Sequence, residues 1–294
     1  MRLERKLDEL IRRSVPDDII APIAAEFAGV FAHHSSTMSA DLAKMASTVN
    51  DQVDKRTVAI QPGKHSAEQR TRRAVAQDVH ALLSLHSGLP LERESLMLSG
   101  YAAAPDTILH LTTLVAALPD DALVLELGSG LSTVWMALAA HREGRGIRIV
   151  SIDHDEWWGA ETAGALDRLG LRDVAEVRIS PLAPLPGAAE GDVPWYGLGE
   201  LDGLDDIHLL VVDGPPASTG RDARYPAVPC LADRLAAEAR ILLDDTDRPA
   251  ERAIGERWLA ELGAERDAVV ERVLERTTVI RVGIRPPKQT EAPR

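Results

Sequence analysis

The stretch ALVLELGSGLST, Ala122 to Thr133, decides how this chain is read. Residues 122–127 have the apolar, β-forming character of a short buried strand. They run without a break into Gly128-Ser129-Gly130, and a helical stretch, Thr133–His141, follows. Gly128 and Gly130 permit a tight turn and close approach of a ligand to the backbone, while the new helix offers free N–H groups at its start. Any strand-to-helix turn can carry glycines, so the loop gains meaning only from its surroundings.

Downstream the same rhythm repeats. After ALVLEL (122–127) come the strand-like runs IRIVSI (147–152), AEVRIS (175–180), IHLLVV (207–212) and ARILLD (239–244). Helical stretches Thr133–His141, Glu161–Leu169 and Ala227–Ala237 lie between them. Strands alternating with helices predict an α/β fold, a Rossmann-like doubly wound sheet that is mostly parallel. DAVVERVL (267–274) and TTVIRVGI (277–284) are separated by two residues, too few for a crossover. They predict a C-terminal antiparallel hairpin, which brings the sheet to seven strands.

Upstream the pattern is helical, with breaks near Val15-Pro16, His33–Ser39 and Gln61–Lys64. Arg73–Leu85 places Val75, Val79, Leu82 and Leu83 on one helical stripe, and Pro105-Asp106 suits the start of a helix reaching Leu118. Three parts are expected: a helical N-terminal extension over 1–100, serving as a lid or a homo-oligomer interface; a cofactor-binding domain over 101–285; and a disordered tail over 286–294.

Composition narrows the partners. The 294 residues are 45% apolar, enough for a real core, and carry a formal charge of −13 from 33 basic and 46 acidic side chains. That surplus of acid argues against nucleic acid, which is bound through Lys and Arg. The Glu68–Arg73 run is better read as a solvated helix face than as a basic patch. No stretch of 18 apolar residues predicts a membrane span, and MRLERKLDELIRR is amphipathic rather than signal-like, so a cytoplasmic protein is expected. The lone cysteine, Cys230, can form no internal disulfide and reads as a small core residue.

The glycine loop departs from two common phosphate-binding patterns. Thr133 stands where a dinucleotide fingerprint needs its third glycine, and no Walker lysine follows. Glu126, two residues before Gly128, would repel a pyrophosphate but suits a cationic ligand. Asp153, at the tip of the second strand, is placed to accept from ribose hydroxyls. A nucleoside bearing a positive, non-phosphate group meets both conditions, and S-adenosylmethionine fits that description.

ELGSGLST and VSIDHD together resemble the first two motifs of the class I S-adenosylmethionine-dependent methyltransferases. The chain is most similar to a bacterial branch of that superfamily, through YAAAPD (101–106), PWY (194–196), DGPP (213–216), RYPAV (224–228) and LLDDTDRPAE (243–251) in that order. The resemblance covers roughly residues 75–285. It implies that Glu126, Gly128, Ser129, Gly130, Ser132 and Thr133 form the methionine side of the cofactor site. Asp153 would hold the ribose, His154 would flank the adenine, and Ser180 would lie near its edge. The branch often carries Glu where Asp153 stands, one methylene longer, yet Asp accepts two hydroxyl hydrogen bonds equally.

The ends of strands four and five carry Asp213 and the pair Asp244-Asp245 on the same sheet edge. In metal-dependent O-methyltransferases, which this arrangement resembles, such carboxylates bind Mg²⁺ and lower the pKa of an acceptor hydroxyl. The alternative is that they shape the turns by accepting loop N–H bonds. Asp213 is the first candidate for the reacting site, with Asp245, Arg224 and Tyr225 as further catalytic candidates. Arg224 either grips an anionic substrate or pairs with the aspartates, and Tyr196 is a candidate stacking platform. Ala217–Tyr225 reads as a flexible lid. The expected activity is O-methylation of a small-molecule or glycan-like acceptor. The competing readings are a non-catalytic cofactor-binding assembly module and, disfavoured by the missing glycine, an NAD-dependent oxidoreductase.

Overall fold

The computed structural model describes residues 103–187 and 193–284, together with Asp78, Ala81 and Leu85. The chain divides into two compact units, Met1–Met97 and Leu98–Arg294. In the first, Asp78, Ala81 and Leu85 are helical, and Ala81 and Leu85 are buried. The other residues of the expected N-terminal helices, the stripe Val75, Val79, Leu82 and Leu83, the Glu68–Arg73 run and the C-terminal tail lie outside the described residues.

The second unit is built on one seven-stranded sheet. In chain order its elements are α1 (Pro105–Ala116), β1 (Leu123–Leu127), α2 (Leu131–Glu143), β2 (Arg148–Asp153), α3 (Glu156–Arg168) and β3 (Ala175–Ile179). There follow β4 (Ile207–Val212), α4 (Ala227–Leu231), β5 (Leu235–Leu243), α5 (Pro249–Glu265), β6 (Asp267–Val273) and β7 (Thr278–Gly283). The strand order is β3-β2-β1-β4-β5-β7-β6. The first five strands of that order run parallel, and β7 joins β5 and β6 antiparallel, which is the α/β doubly wound sheet with a terminal hairpin that the sequence predicts.

Strand β1 lies between β2 and β4, so the chain reverses its winding direction beside it. In open α/β sheets the crevice outside the strand ends at such a switch point receives the ligand. All five residues of β1 are buried, as central parallel strands require. Short polar devices start the helices that cover the sheet. The Asp155 carboxylate accepts from the backbone N–H groups of Trp157 and Trp158 at 2.9 and 3.0 Å to open α3. Pro105 and Pro249 begin α1 and α5, where a missing N–H costs nothing.

Two elements differ from expectation. The helix expected over 227–237 is only the five-residue α4, followed by a 3₁₀ turn at Ala232–Arg234, and β5 begins at Leu235 instead of 239. LAAEA is helix-forming by propensity, but Leu235 pairs with Ile207 and the strand continues between β4 and β7, so sheet pairing overrides it. Helix α5 was not expected, although buried Ile254, Trp258 and Leu262 at four-residue spacing form its core-facing stripe.

Candidate active site

The loop after β1 and the turn after β4 meet backbone to backbone. Gly128 has φ of 95°, and a Cβ there would lie 3.2 Å from Asp213 C and Gly214 N. A Cβ on Gly214 would press on the Tyr196 hydroxyl first and on Gly128 Cα at 3.2 Å. The Asp213 N–H donates to Leu127 O at 2.9 Å, so ELGSG and VVDGPP form one joint. Gly128→Ala combines left-handed backbone strain, about 1–2 kcal/mol, with that contact. Chemical denaturation should show a loss of about 1–3 kcal/mol. Gly130 differs: a Cβ there would meet nothing within 4 Å among the described residues, which leave that side of the loop open.

Glu126 lies beneath this loop, fully buried, and presents no surface to a ligand. Its carboxylate accepts from the Ser132 hydroxyl at 2.5 Å, the Ser151 hydroxyl at 2.7 Å and the Thr133 hydroxyl. Thr133 Oγ1 in turn accepts from the Gly130 N–H at 2.9 Å. Ser132 and Thr133 thus pin the first turn of α2 to β1 and β2. Burial pushes the Glu126 carboxyl up to about 7, against the pull of its three hydroxyl donors.

Asp153, 4% exposed at the tip of β2, is tied to the same loop. One oxygen accepts from the Ser129 N–H and hydroxyl at 2.8 and 2.7 Å, and the other accepts from the Asp155 N–H at 3.0 Å. A carboxylate has about four acceptor positions, so about one is left for a ribose hydroxyl. His154 is 30% exposed beside it, with Nδ1 3.4 Å from Asp153. Ser180 is buried, its N–H donating to Asp153 O at 2.7 Å and its hydroxyl accepting from the Gly197 N–H at 2.8 Å.

The strand-end carboxylates converge. Asp213, Asp244 and Asp245 each offer an oxygen within 4.8 Å of the others. Arg224, 5% exposed, stands among them: Nη2 donates to Asp213 Oδ1 at 3.1 Å and to Asp245 Oδ2 at 2.9 Å. The same guanidinium donates to the backbone carbonyls of Asp213 and Asp244 at 2.8 and 2.9 Å. Arg248 approaches Asp245 Oδ2 at 3.0 Å, and Arg276 pairs with Asp245 Oδ1. Asp244 Oδ1 accepts from the Thr277 hydroxyl at 2.6 Å.

These contacts set the acidities. Burial raises the Asp213 carboxyl well above the usual range, Asp244 adds to this, and Arg224 opposes it. Burial also raises Asp244, against the Thr277 hydrogen bond. Burial would raise Asp245 too, but the Arg276 hydrogen bond and the charges of Arg224, Arg248 and Arg276 bring it below the usual value.

Two sequence candidates are engaged elsewhere or enclosed. Tyr225 donates its hydroxyl to Glu261 at 2.7 Å and carries Arg257 over its ring at 3.6 Å, so it belongs to the α5 contact, not to the carboxylates. Tyr196 is 1% exposed and its ring is not free to stack on an acceptor. Its neighbour Trp195 is fully buried. The Ala217–Tyr225 segment opens with a 3₁₀ turn at Ala217–Thr219 and, with Glu251 and Ile254 of α5, lines a cavity of about 170 Å³.

The site has room for a nucleoside cofactor, whose ribose Asp153 would hold with its remaining acceptor position. Open space lies beside Gly130, and the Tyr196 hydroxyl is buried without a partner among the described residues, against the joint of the two glycine turns. As arranged, the carboxylates do not fit a divalent ion. Both oxygens of Asp245 already accept from arginines, and Asp213 Oδ1 shares the Arg224 guanidinium with Asp245. A dication about 4 Å from a guanidinium meets roughly 8 kcal/mol of repulsion at an effective dielectric of about 20.

With this geometry in place, residues 125–246 match the family model described as a methyltransferase domain. The matched segment runs from β1 to the turn after β5 and leaves out the β6–β7 hairpin. It is similar to solved structures at low identity. An O-methyltransferase from Bacillus cereus is 16% identical, with 71% of this chain and 90% of that chain covered and a TM-score of 0.47. The O-methyltransferase TomG from Streptomyces achromogenes is 16% identical, with 79% and 95% covered and a TM-score of 0.45. The Podospora anserina methyltransferase PaMTH1 is 18% identical, with 78% and 99% covered and a TM-score of 0.47. No curated protein matches the chain. No described helix is long and apolar enough to cross a membrane.

Proposed function

We propose that the protein transfers a methyl group from S-adenosylmethionine to a hydroxyl oxygen of a small-molecule or glycan-like acceptor. The observation that carries this reading is the joint between the Gly128 loop and the Asp213 turn. It sets an open glycine loop at the switch point directly beside a strand-end carboxylate. When bound, the cofactor supplies an electrophilic sulfonium methyl group. Gly128, Ser129 and Gly130 hold its amino-acid side, supported from below by Glu126, Ser132 and Thr133. Asp153 accepts from the ribose, with His154 and Ser180 near the adenine.

Asp213 takes up the proton of the acceptor hydroxyl. Oδ1 is fixed by Arg224, and Oδ2 has no hydrogen bond among the described residues. The side chain is 22% exposed, open enough to meet an acceptor. Such chemistry needs alignment and a base but no covalent enzyme intermediate. The domain assignment within this reading is a cofactor domain from about residue 101 to 285, preceded by an extension that serves as lid or oligomer interface.

Isothermal titration calorimetry separates this function from the oxidoreductase reading, and turnover separates it from a non-catalytic module. S-adenosylmethionine should bind one per chain and NAD should give no heat beyond dilution. Binding of NAD with none of S-adenosylmethionine overturns the reading in favour of an oxidoreductase.

A further inference from the structure

We propose that the resident cation of the Asp213–Asp244–Asp245 cluster is the Arg224 guanidinium, and that this site works without a divalent metal. The cluster has the donor types and spacing that a hard cation uses, with three carboxylate oxygens within 4.8 Å. What distinguishes it is what fills it. Arg224 is 5% exposed and reaches both strand ends at once, bonding the side chains of Asp213 and Asp245 and the carbonyls of Asp213 and Asp244.

A planar fork of fixed N–H donors suits that task, which a single ion would otherwise perform by coordination. Arg276 and Arg248 complete the neutralisation on the Asp245 side, at 35% and 47% exposure, where solvent weakens their individual pairs. Arg224 comes from RYPAV, outside both strands, so the cation arrives from a separate segment of the chain, as a bound ion would. The consequence for methyl transfer rests on the function proposed above. The occupancy of the cluster does not, because it can be measured without cofactor or acceptor.

The test is a Mn²⁺ titration of the full-length protein, followed by electron paramagnetic resonance, with thermal unfolding in EDTA and in Mn²⁺ alongside. The wild type should bind no stoichiometric Mn²⁺ and show the same melting temperature in both. Arg224→Met, which keeps the aliphatic stem and removes the charge, should gain one Mn²⁺ per chain and be stabilised by it. Stoichiometric binding by the wild type that disappears in Asp245→Asn overturns the proposal, as does a folded Arg224→Met that gains none. If Arg224→Met fails to fold, the wild-type titration with its Asp245→Asn control decides. Calorimetry with S-adenosylmethionine is read separately, so failure of the function leaves the Mn²⁺ result intact.

Discussion

Asp213→Asn should lower methyl transfer by about 10²–10⁴-fold while leaving S-adenosylmethionine binding nearly unchanged. Asparagine keeps the size of the side chain, and its carbonyl oxygen can still accept the Arg224 hydrogen bond made by Asp213 Oδ1 at 3.1 Å. The backbone contacts that hold the turn, Asp213 N–H to Leu127 O and Arg224 to Asp213 O, are untouched. Only the capacity to take a proton is lost. The measurement is S-adenosylhomocysteine formation against a panel of hydroxylated small acceptors, with calorimetry on the same preparation. Wild-type turnover in the variant would remove Asp213 from the chemistry and leave it as a turn residue. Because burial and Asp244 raise the Asp213 carboxyl, the acid limb of the rate profile should lie above the ordinary carboxylate range. Activity should rise with pH across that limb, since the base must be ionised to act.

The sheet was legible because strand length, spacing and connection type are local properties. IHLLVV matches β4 residue for residue, and the two-residue gap before TTVIRVGI forced an antiparallel return. The start of β5 was not legible, because LAAEA becomes strand only through partners far along the chain, Ile207 on one side and the β7 residues on the other. Helix α5 is marked in the sequence only by Ile254, Trp258 and Leu262, a sparse apolar stripe in an otherwise polar and charged segment.

Within the site, the sequence pointed to which residues gather but not to how they are satisfied. The convergence of Asp213 with Asp244 and Asp245 follows from parallel neighbours β4 and β5 ending at one edge. Of the two roles open to Arg224 in the sequence, the structure takes the pairing with the aspartates. That one guanidinium reaches both strand ends depends on the path of a loop with no period, which no spacing encodes. Tyr196 followed a polar, aromatic motif, yet its hydroxyl lies against Gly214 under the glycine joint, and only tertiary packing could place it there. Glu126 invited a ligand role by its charge and by its place in the ELGSGLST motif. The three hydroxyls that enclose it come from α2 and β2, and their convergence is a property of the folded turn.

Glu126 gives the second large effect, a pH-dependent stability. Its carboxyl is raised from 4.5 to about 7 in the folded protein, chiefly by burial. Between those values the folded state keeps a proton that the unfolded state has released. Stability therefore falls as pH rises through the window, by about 3 kcal/mol for a shift of this size, and levels off once the folded carboxyl has ionised as well. Glu126→Gln removes the titration while keeping a polar group against Ser132, Thr133 and Ser151. The difference in unfolding free energy between wild type and variant should thus change across this range in favour of the variant. Urea denaturation of both proteins at closely spaced pH values reads it directly. Parallel stability curves would mean that Glu126 keeps an ordinary carboxylate pKa, held ionised by its hydroxyl donors. A wild-type curve that falls relative to that of the variant as pH rises would place a neutral carboxyl beneath the glycine loop on the acid side of neutrality. The loop would then lie over a hydrogen-bonded cap whose charge appears only as pH approaches neutral.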